Sequence, residues 1–146
     1  MEDFTFKTIV LNYNLDHPEA VAPVRQEDSD AYDLVLVELI KREDEVYYYD
    51  TGIILQPPKN IHTHIYARSS LHKKGYMLAN SVGFIDSRYR GHLIVALYKF
   101  NQHQPDLQLP CRAVQLMPYE TIPTVALPNS KVEQTTRGAG GFGSTG

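Results

Sequence analysis

Cysteine is nearly missing from this sequence: Cys111 is the only one, which rules out an internal disulfide and a multi-thiolate zinc site. No apolar run approaches the ~20 residues that a membrane span requires. The acidic start at Glu2 and Asp3 does not resemble a signal peptide, so a soluble, intracellular protein is expected. An excess of positive charge is missing too. A net charge of −3 with both signs interspersed gives no basic field for holding DNA or RNA, so an anionic ligand has to be gripped locally. Helical periodicity is also lacking, because apolar residues nowhere recur at i, i+3, i+4 and i+7 over three turns. No internal repeat is visible.

What is present is short-range alternation cut by turn residues. Nine prolines and nine glycines divide 146 residues into short pieces, enough chain for one sizeable core and not for two. Phe4, Phe6, Ile9 and Leu11 alternate, as do Tyr32, Leu34 and Leu36, and then Ile61, Ile65 and Ala67, which is the pattern of half-buried strands. The strongest run is Gly91 to Phe100. It is apolar on both faces, with Leu93, Val95 and Leu97 on one and Ile94, Ala96 and Tyr98 on the other, predicting burial on both sides or a subunit contact. At most one short helix is expected, near Ser70 to Lys74. Many short strands favour a sandwich, jelly roll or barrel.

Composition changes near Asn129. The stretch from Gln134 to Gly146 holds five of the nine glycines, with Arg137 and Phe142 as its only large anchors. The expected organisation is a β domain over residues 1–128 and a flexible glycine-rich arm over residues 129–146. Upstream, Asn80 to Gly91 reads as a hairpin with the Asp86 carboxylate at its mouth, although an Asp-Ser pair alone also suits an ordinary turn.

Five stretches in order carry a resemblance: Asp30-Ala31-Tyr32-Asp33-Leu34, Ala67-Arg68-Ser69-Ser70-Leu71, Gly83 to Gly91, Ala113-Val114-Gln115-Leu116, and Arg137 to Gly146. Together they resemble the motifs of the trimeric dUTP pyrophosphatase (dUTPase) family. The resemblance implies a jelly-roll-like, distorted β-barrel, a homotrimer with active sites shared between subunits, and Mg2+ as cofactor. The implied reaction is hydrolysis of dUTP to dUMP and pyrophosphate by attack of water on the α-phosphate. That activity limits uracil in DNA and supplies dUMP for dTMP synthesis.

Roles follow residue by residue from the same resemblance. Asp86 orients the attacking water as general base. Tyr89 forms the floor under the deoxyribose and leaves no room for a 2′-hydroxyl, while the backbone of Gly83, Phe84 and Ile85 reads the uracil edge with help from the Asn80 amide. Arg68, Ser69 and Ser70 offer donors to phosphate oxygens at the start of the short helix, and Gln115 reaches the same region. Asp33 holds waters of the magnesium shell, in keeping with an ion gripped mainly by substrate phosphates; on the residue alone, a structural acceptor at a strand end is the other reading. In the arm, Phe142 stacks on uracil while Arg137, Gly143 and Ser144 wrap the phosphates, making a lid.

The sequence departs from the family pattern at Ala31 and Ser70, where glycine is usual, at Ala67, where proline is common, and at Arg88, where an acidic residue is common. Ser70 is expected to perturb the phosphate loop most, through restricted torsions. His62, His64 and His72 invite a metal reading, outweighed by the frequency of strand-surface histidines and the lack of a supporting carboxylate. Tyr47, Tyr48 and Tyr49 are read as packing or strand surface. Two other functions share this fold. A dCTP deaminase would carry a glutamate where Arg90 stands, and a catalytically silent nucleotide-binding homologue would bind without chemistry.

Overall fold

In the computed structural model, which describes residues 8–143, the chain is almost entirely antiparallel β. Its strands are β1 (Asn12–Leu15), β2 (Tyr32–Leu36), β3 (Glu38–Glu43), β4 (Val46–Asp50), β5 (Ile53–Gln56), β6 (Ile61–Ala67), β7 (Tyr76–Leu78), β8 (Gly83–Ile85), β9 (Ile94–Lys99) and β10 (Cys111–Glu120). The short helix is a single 3-10 turn over Leu71–Lys74, ended by Gly75 in the left-handed region at φ 85°, a geometry that suits glycine. Phe4 and Phe6 lie outside the described residues. The first described strand starts three residues beyond Ile9 and pairs with β5.

Two four-stranded sheets, in the orders β2-β10-β6-β8 and β3-β4-β9-β7, are accompanied by a separate two-stranded ribbon, β1-β5. These sheets are open, with no closed ring of strands among the described residues. Their inner faces share one core, in which Leu34, Ile65, Val114 and Leu116 from the first sheet meet Tyr47, Tyr49, Val95 and Leu97 from the second. β6 shows how pattern becomes packing: Ile61, Thr63 and Ile65 point inward, while His62, His64 and Tyr66 lie on the outer face.

β9 differs from the expectation of two-sided burial within the chain. Leu93, Val95 and Leu97 are buried, but on the opposite face Ile94 and Tyr98 remain 37% and 39% exposed. The strand buried on both faces is β2, where Asp33, Leu34, Val35 and Leu36 are all buried, between β10 on one edge and the bridge to Val24 on the other. One inward position of β9 is charged. Lys99 is buried and held by Asp106 at 2.6 Å, with its ammonium over the rings of Tyr47 and Tyr76, so its charge is compensated where burial would otherwise be costly.

Candidate active site

The stretch around Asp86 is not a hairpin. β7 pairs with β9 in one sheet, whereas β8 pairs with β6 in the other, so the turn Asn80 to Val82 carries the chain across the sandwich. Ser81 takes φ 63° at that crossing. Where the chain crosses, the sheets part around a cavity of about 260 Å³. One wall comes from Ile65, Gly83, Phe84 and Ile85, the other from Leu78, Ile94, Val95 and Ala96, with Asn80, Asp86, Tyr89 and His92 at its ends. Gly83 allows the close strand approach, since a Cβ there would stand 3.1 Å from the Ile65 Cβ. β8 is the edge of its sheet, so the backbone on its unpaired side is available to a ligand.

The loop leaving β8 is tightly tied. Tyr89 N–H donates to the Asp86 carbonyl at 3.1 Å, and the Tyr89 hydroxyl donates to the His92 carbonyl at 2.8 Å. The ring lies over Gly91, where a Cβ would collide with the phenol, which explains the Tyr-x-Gly spacing physically. Arg90 turns back on the loop and donates to the carbonyls of Ser87 (2.8 Å), Tyr89 (3.0 Å) and Leu55 (3.4 Å). The Asp86 residue is exposed where it lines the cavity. Phe84 also lines the cavity, but its ring turns outward and stacks on His62 at 5.0 Å.

His92 is a site residue that the sequence reading missed. Its Nδ1 lies 2.9 Å from Asp50 and its Nε2 2.8 Å from Asp16. Bonds to Asp16 and then Asp50 raise its pKa above the ordinary histidine value, against a smaller opposing effect of burial. The partners lie 76 and 42 residues away in sequence, so no local pattern could have announced them.

A second group forms where β2, β6 and β10 meet. Arg68 Nε is 3.2 Å from Asp33 Oδ1, and Arg68 Nη1 donates to the Arg112 carbonyl at 3.0 Å. Gln115 stands opposite Asp33 in the strand register and donates to the Ala67 carbonyl at 3.1 Å. Ser69 and Ser70 are exposed just beyond. The strain expected at Ser70 is absent, because φ −97° and ψ −7° are open to any residue. Ala31 and Ala67 likewise need no glycine geometry. Nothing in the structure explains Arg88.

The arm makes a third group. Residues 121–139 are exposed and carry no strand, Arg137 Nε donates to the Gly140 carbonyl at 2.9 Å, and the Phe142 ring is fully exposed. Arg137, Phe142 and Gly143 line none of the cavity beside Asp86, and neither do Arg68, Ser69, Ser70, Gln115 and Asp33. Ser144 lies outside the described residues. Within one chain the sequence-read residues therefore fall into three separate groups.

The histidines take up other work. His62 stacks on Phe84 and Tyr119, and His64 packs against the same two rings at a tilt, on the outer face of β6, β8 and β10, and His72 sits apart in the 3-10 turn. Tyr47 and Tyr49 belong to the core, while Tyr48 is half-buried.

Comparison with known proteins bears on what these groups are. The dUTPase family model matches residues 19–146. The deoxyuridine 5′-triphosphate nucleotidohydrolase of Escherichia phage T5 is 30% identical, over 94% of this chain and 99% of its own. The enzyme of the same name from Acinetobacter baylyi is 38% identical over 74% of this chain and 67% of its own. Among solved structures, the dUTPase of Staphylococcus bacteriophage 80alpha with dUPNHPP superposes with a TM-score of 0.77 at 20% identity, covering 95% of this chain and 99% of that one. A dUTPase variant from phage phi11 of S. aureus, described with a structural Mg(II) ion, gives 0.71 at 16% identity, covering 86% and 99%. With its five motifs in order and a relative aligned along nearly its whole length, the chain belongs to the dUTPase family.

Proposed function

We propose that this protein hydrolyses dUTP to dUMP and pyrophosphate in sites completed by neighbouring copies of the chain in a homotrimer. The observation that carries this reading is the cleft itself. A carboxylate (Asp86), a phenol (Tyr89), a side-chain amide (Asn80) and the open edge of β8 surround a cavity the size of a nucleoside. An unpaired strand edge presents N–H and C=O groups at fixed spacing, which can match the donor and acceptors of uracil, while cytosine would bring a donor where uracil has an acceptor. Tyr89, pinned by Gly91 and the His92 carbonyl, forms a floor too rigid to admit a 2′-hydroxyl. The Asp86 carboxylate takes the proton from water as it attacks the α-phosphorus.

Arg68 and Gln115 would meet the phosphates, with Ser69 and Ser70 beside them, and the arm would close over the base through Phe142 and over the phosphates through Arg137 and Ser144. Because these groups do not meet Asp86 within one chain, the reading requires them from other copies. Magnesium fits the donor set in one way only. Among the described residues no three His, Cys, Asp or Glu side chains form a metal cage, and Asp33 is already engaged by Arg68, so Asp33 would reach the ion through water. When bound, the ion neutralises triphosphate charge and polarises its oxygens.

Arg90 argues against deamination, since its guanidinium is spent on backbone carbonyls and offers no acid or base. The deciding test incubates the purified chain and magnesium with dUTP, UTP, dCTP and dTTP. Release of dUMP and pyrophosphate from dUTP alone, much slowed by EDTA, is expected. Ammonia from dCTP would mark a deaminase, binding of dUTP without pyrophosphate release a silent homologue, and equal turnover of UTP would remove Tyr89 from its role.

A further inference from the structure

The loop carrying Asp86 and Tyr89 ends at a histidine clamped between two carboxylates from distant parts of the chain. The Asp50 carboxylate is the inner jaw: only 9% exposed, it also accepts the Gly52 N–H through Oδ1 at 2.8 Å. Asp16 is the outer jaw and is 66% exposed. The carbonyl of the clamped residue is the one that receives the Tyr89 hydroxyl. The charged groups at the imidazole are Asp16 beyond β1 and Asp50 at the end of β4, and Asp86, on its own loop, lines the same cavity. His17, beside Asp16, is occupied by Glu38 at 2.9 Å, and Arg90 is turned to carbonyls of its loop and of β5.

We infer that His92 is a positioning residue for the nucleotide cleft: as an imidazolium bridging Asp16 and Asp50 it fixes the Tyr89 floor, and loss of its proton loosens the grip on the sugar. Both ring nitrogens face carboxylates, and only the doubly protonated ring can donate to both. On deprotonation one N–H remains. It stays with Asp50, whose burial makes an unpaired carboxylate costly, while Asp16 can return to water. The Nε2 lone pair then faces a carboxylate, and the Asp16 link opens. Because the bonds to Asp16 and Asp50 raise the folded pKa, the bridge is complete below the ordinary histidine pKa and is lost as pH rises through the higher folded value.

The inference rests on the dUTP reading for its kinetic part, so the test includes a readout that needs no substrate. The full chain is titrated by NMR, following the His92 and Tyr89 ring signals, and kcat and KM for dUTP are measured across the same pH range for wild type, Asp16→Asn and His92→Gln. Both signals should share one midpoint above the ordinary histidine range, with KM rising about fivefold through it, the scale of one hydrogen bond, and kcat little changed. Asp16→Asn should move that midpoint to lower pH in every readout. His92→Gln, checked for fold by circular dichroism, should show a raised KM that no longer depends on pH. A Tyr89 signal that ignores the His92 titration overturns the inference whatever the activity. So does hydrolysis of dUTP with a KM flat in pH, or a wild-type profile in His92→Gln. Absence of hydrolysis at every pH, with the coupled ring titration intact, would instead overturn the dUTP reading alone.

Discussion

Asp86 and Phe142 are each expected at the same ligand, yet they are placed in opposite ways. Asp86 follows a strand registered against β6, faces a wall supplied by β9, and starts a loop held by Tyr89, Arg90 and His92. Phe142 follows a run of exposed residues, and a Cβ built on Gly141 or Gly143 beside it would meet nothing within 4 Å. The cleft is a product of folding and cannot be disturbed without some cost to the fold. The arm has no such debt: among the described residues its own chain supplies no packing that would fix Phe142, and any ordering of it would cost conformational entropy.

The sharpest way to separate the two is to remove chemistry from one and length from the other. Asp86→Asn should lower turnover roughly 100-fold or more while dUTP still binds, the scale of losing a positioned base, as read by single-turnover kinetics and calorimetric titration. Deleting residues 137–146 should also reduce turnover strongly, yet leave the unfolding midpoint in place, because the described part of this segment contributes nothing to the core. Mixing the two defective proteins under conditions that exchange subunits should restore part of the activity if cleft and arm come from different chains. No recovery after subunit exchange would mean that each arm closes its own cleft.

A smaller effect tests the claim that cleft and fold are coupled. Gly91→Ala would push a methyl into the Tyr89 ring. Overpacking of this kind costs about 1–3 kcal/mol, so the melting temperature should fall and KM for dUTP should rise together. A change in KM with no change in stability would show the loop to be less integrated than its hydrogen bonds suggest.

Strands β2 and β6 were legible from the alternation of Tyr32, Leu34 and Leu36 and of Ile61, Ile65 and Ala67, and the 3-10 turn lay within the expected stretch, whereas β10, the longest strand, was not read as one. Membership of β7 and β8 in different sheets was not legible. Nor was the failure of the hairpin expected from Asn80 to Gly91, which needed β8 to pair with β9 across Asp86; β8 pairs instead with β6, and β9 with β4 and β7. The outer face of β9 shows a related limit: period-two patterning identifies two apolar faces without saying what covers the second, and of the two covers expected for β9 the chain itself does not supply one. Among the candidate site residues, motif order led to Asp33, Arg68 and Gln115, but not to the ion pair that ties the first two together. Arg90 was weighed only for the glutamate it replaces, and its service as a clip for the loop depends on carbonyl directions that no residue string encodes.

The open edge of β8 has a consequence for how this protein keeps to itself. An unpaired strand edge invites another chain to add on and start an aggregate. Here the exposed edge is only Gly83–Ile85, roughly 10 Å at the usual rise per residue. The crossing turn lies before it and the tied Asp86 loop after it. Such a length suits a single flat heterocycle and is too short to template a foreign strand, so the groove can remain unfilled between ligands without becoming adhesive.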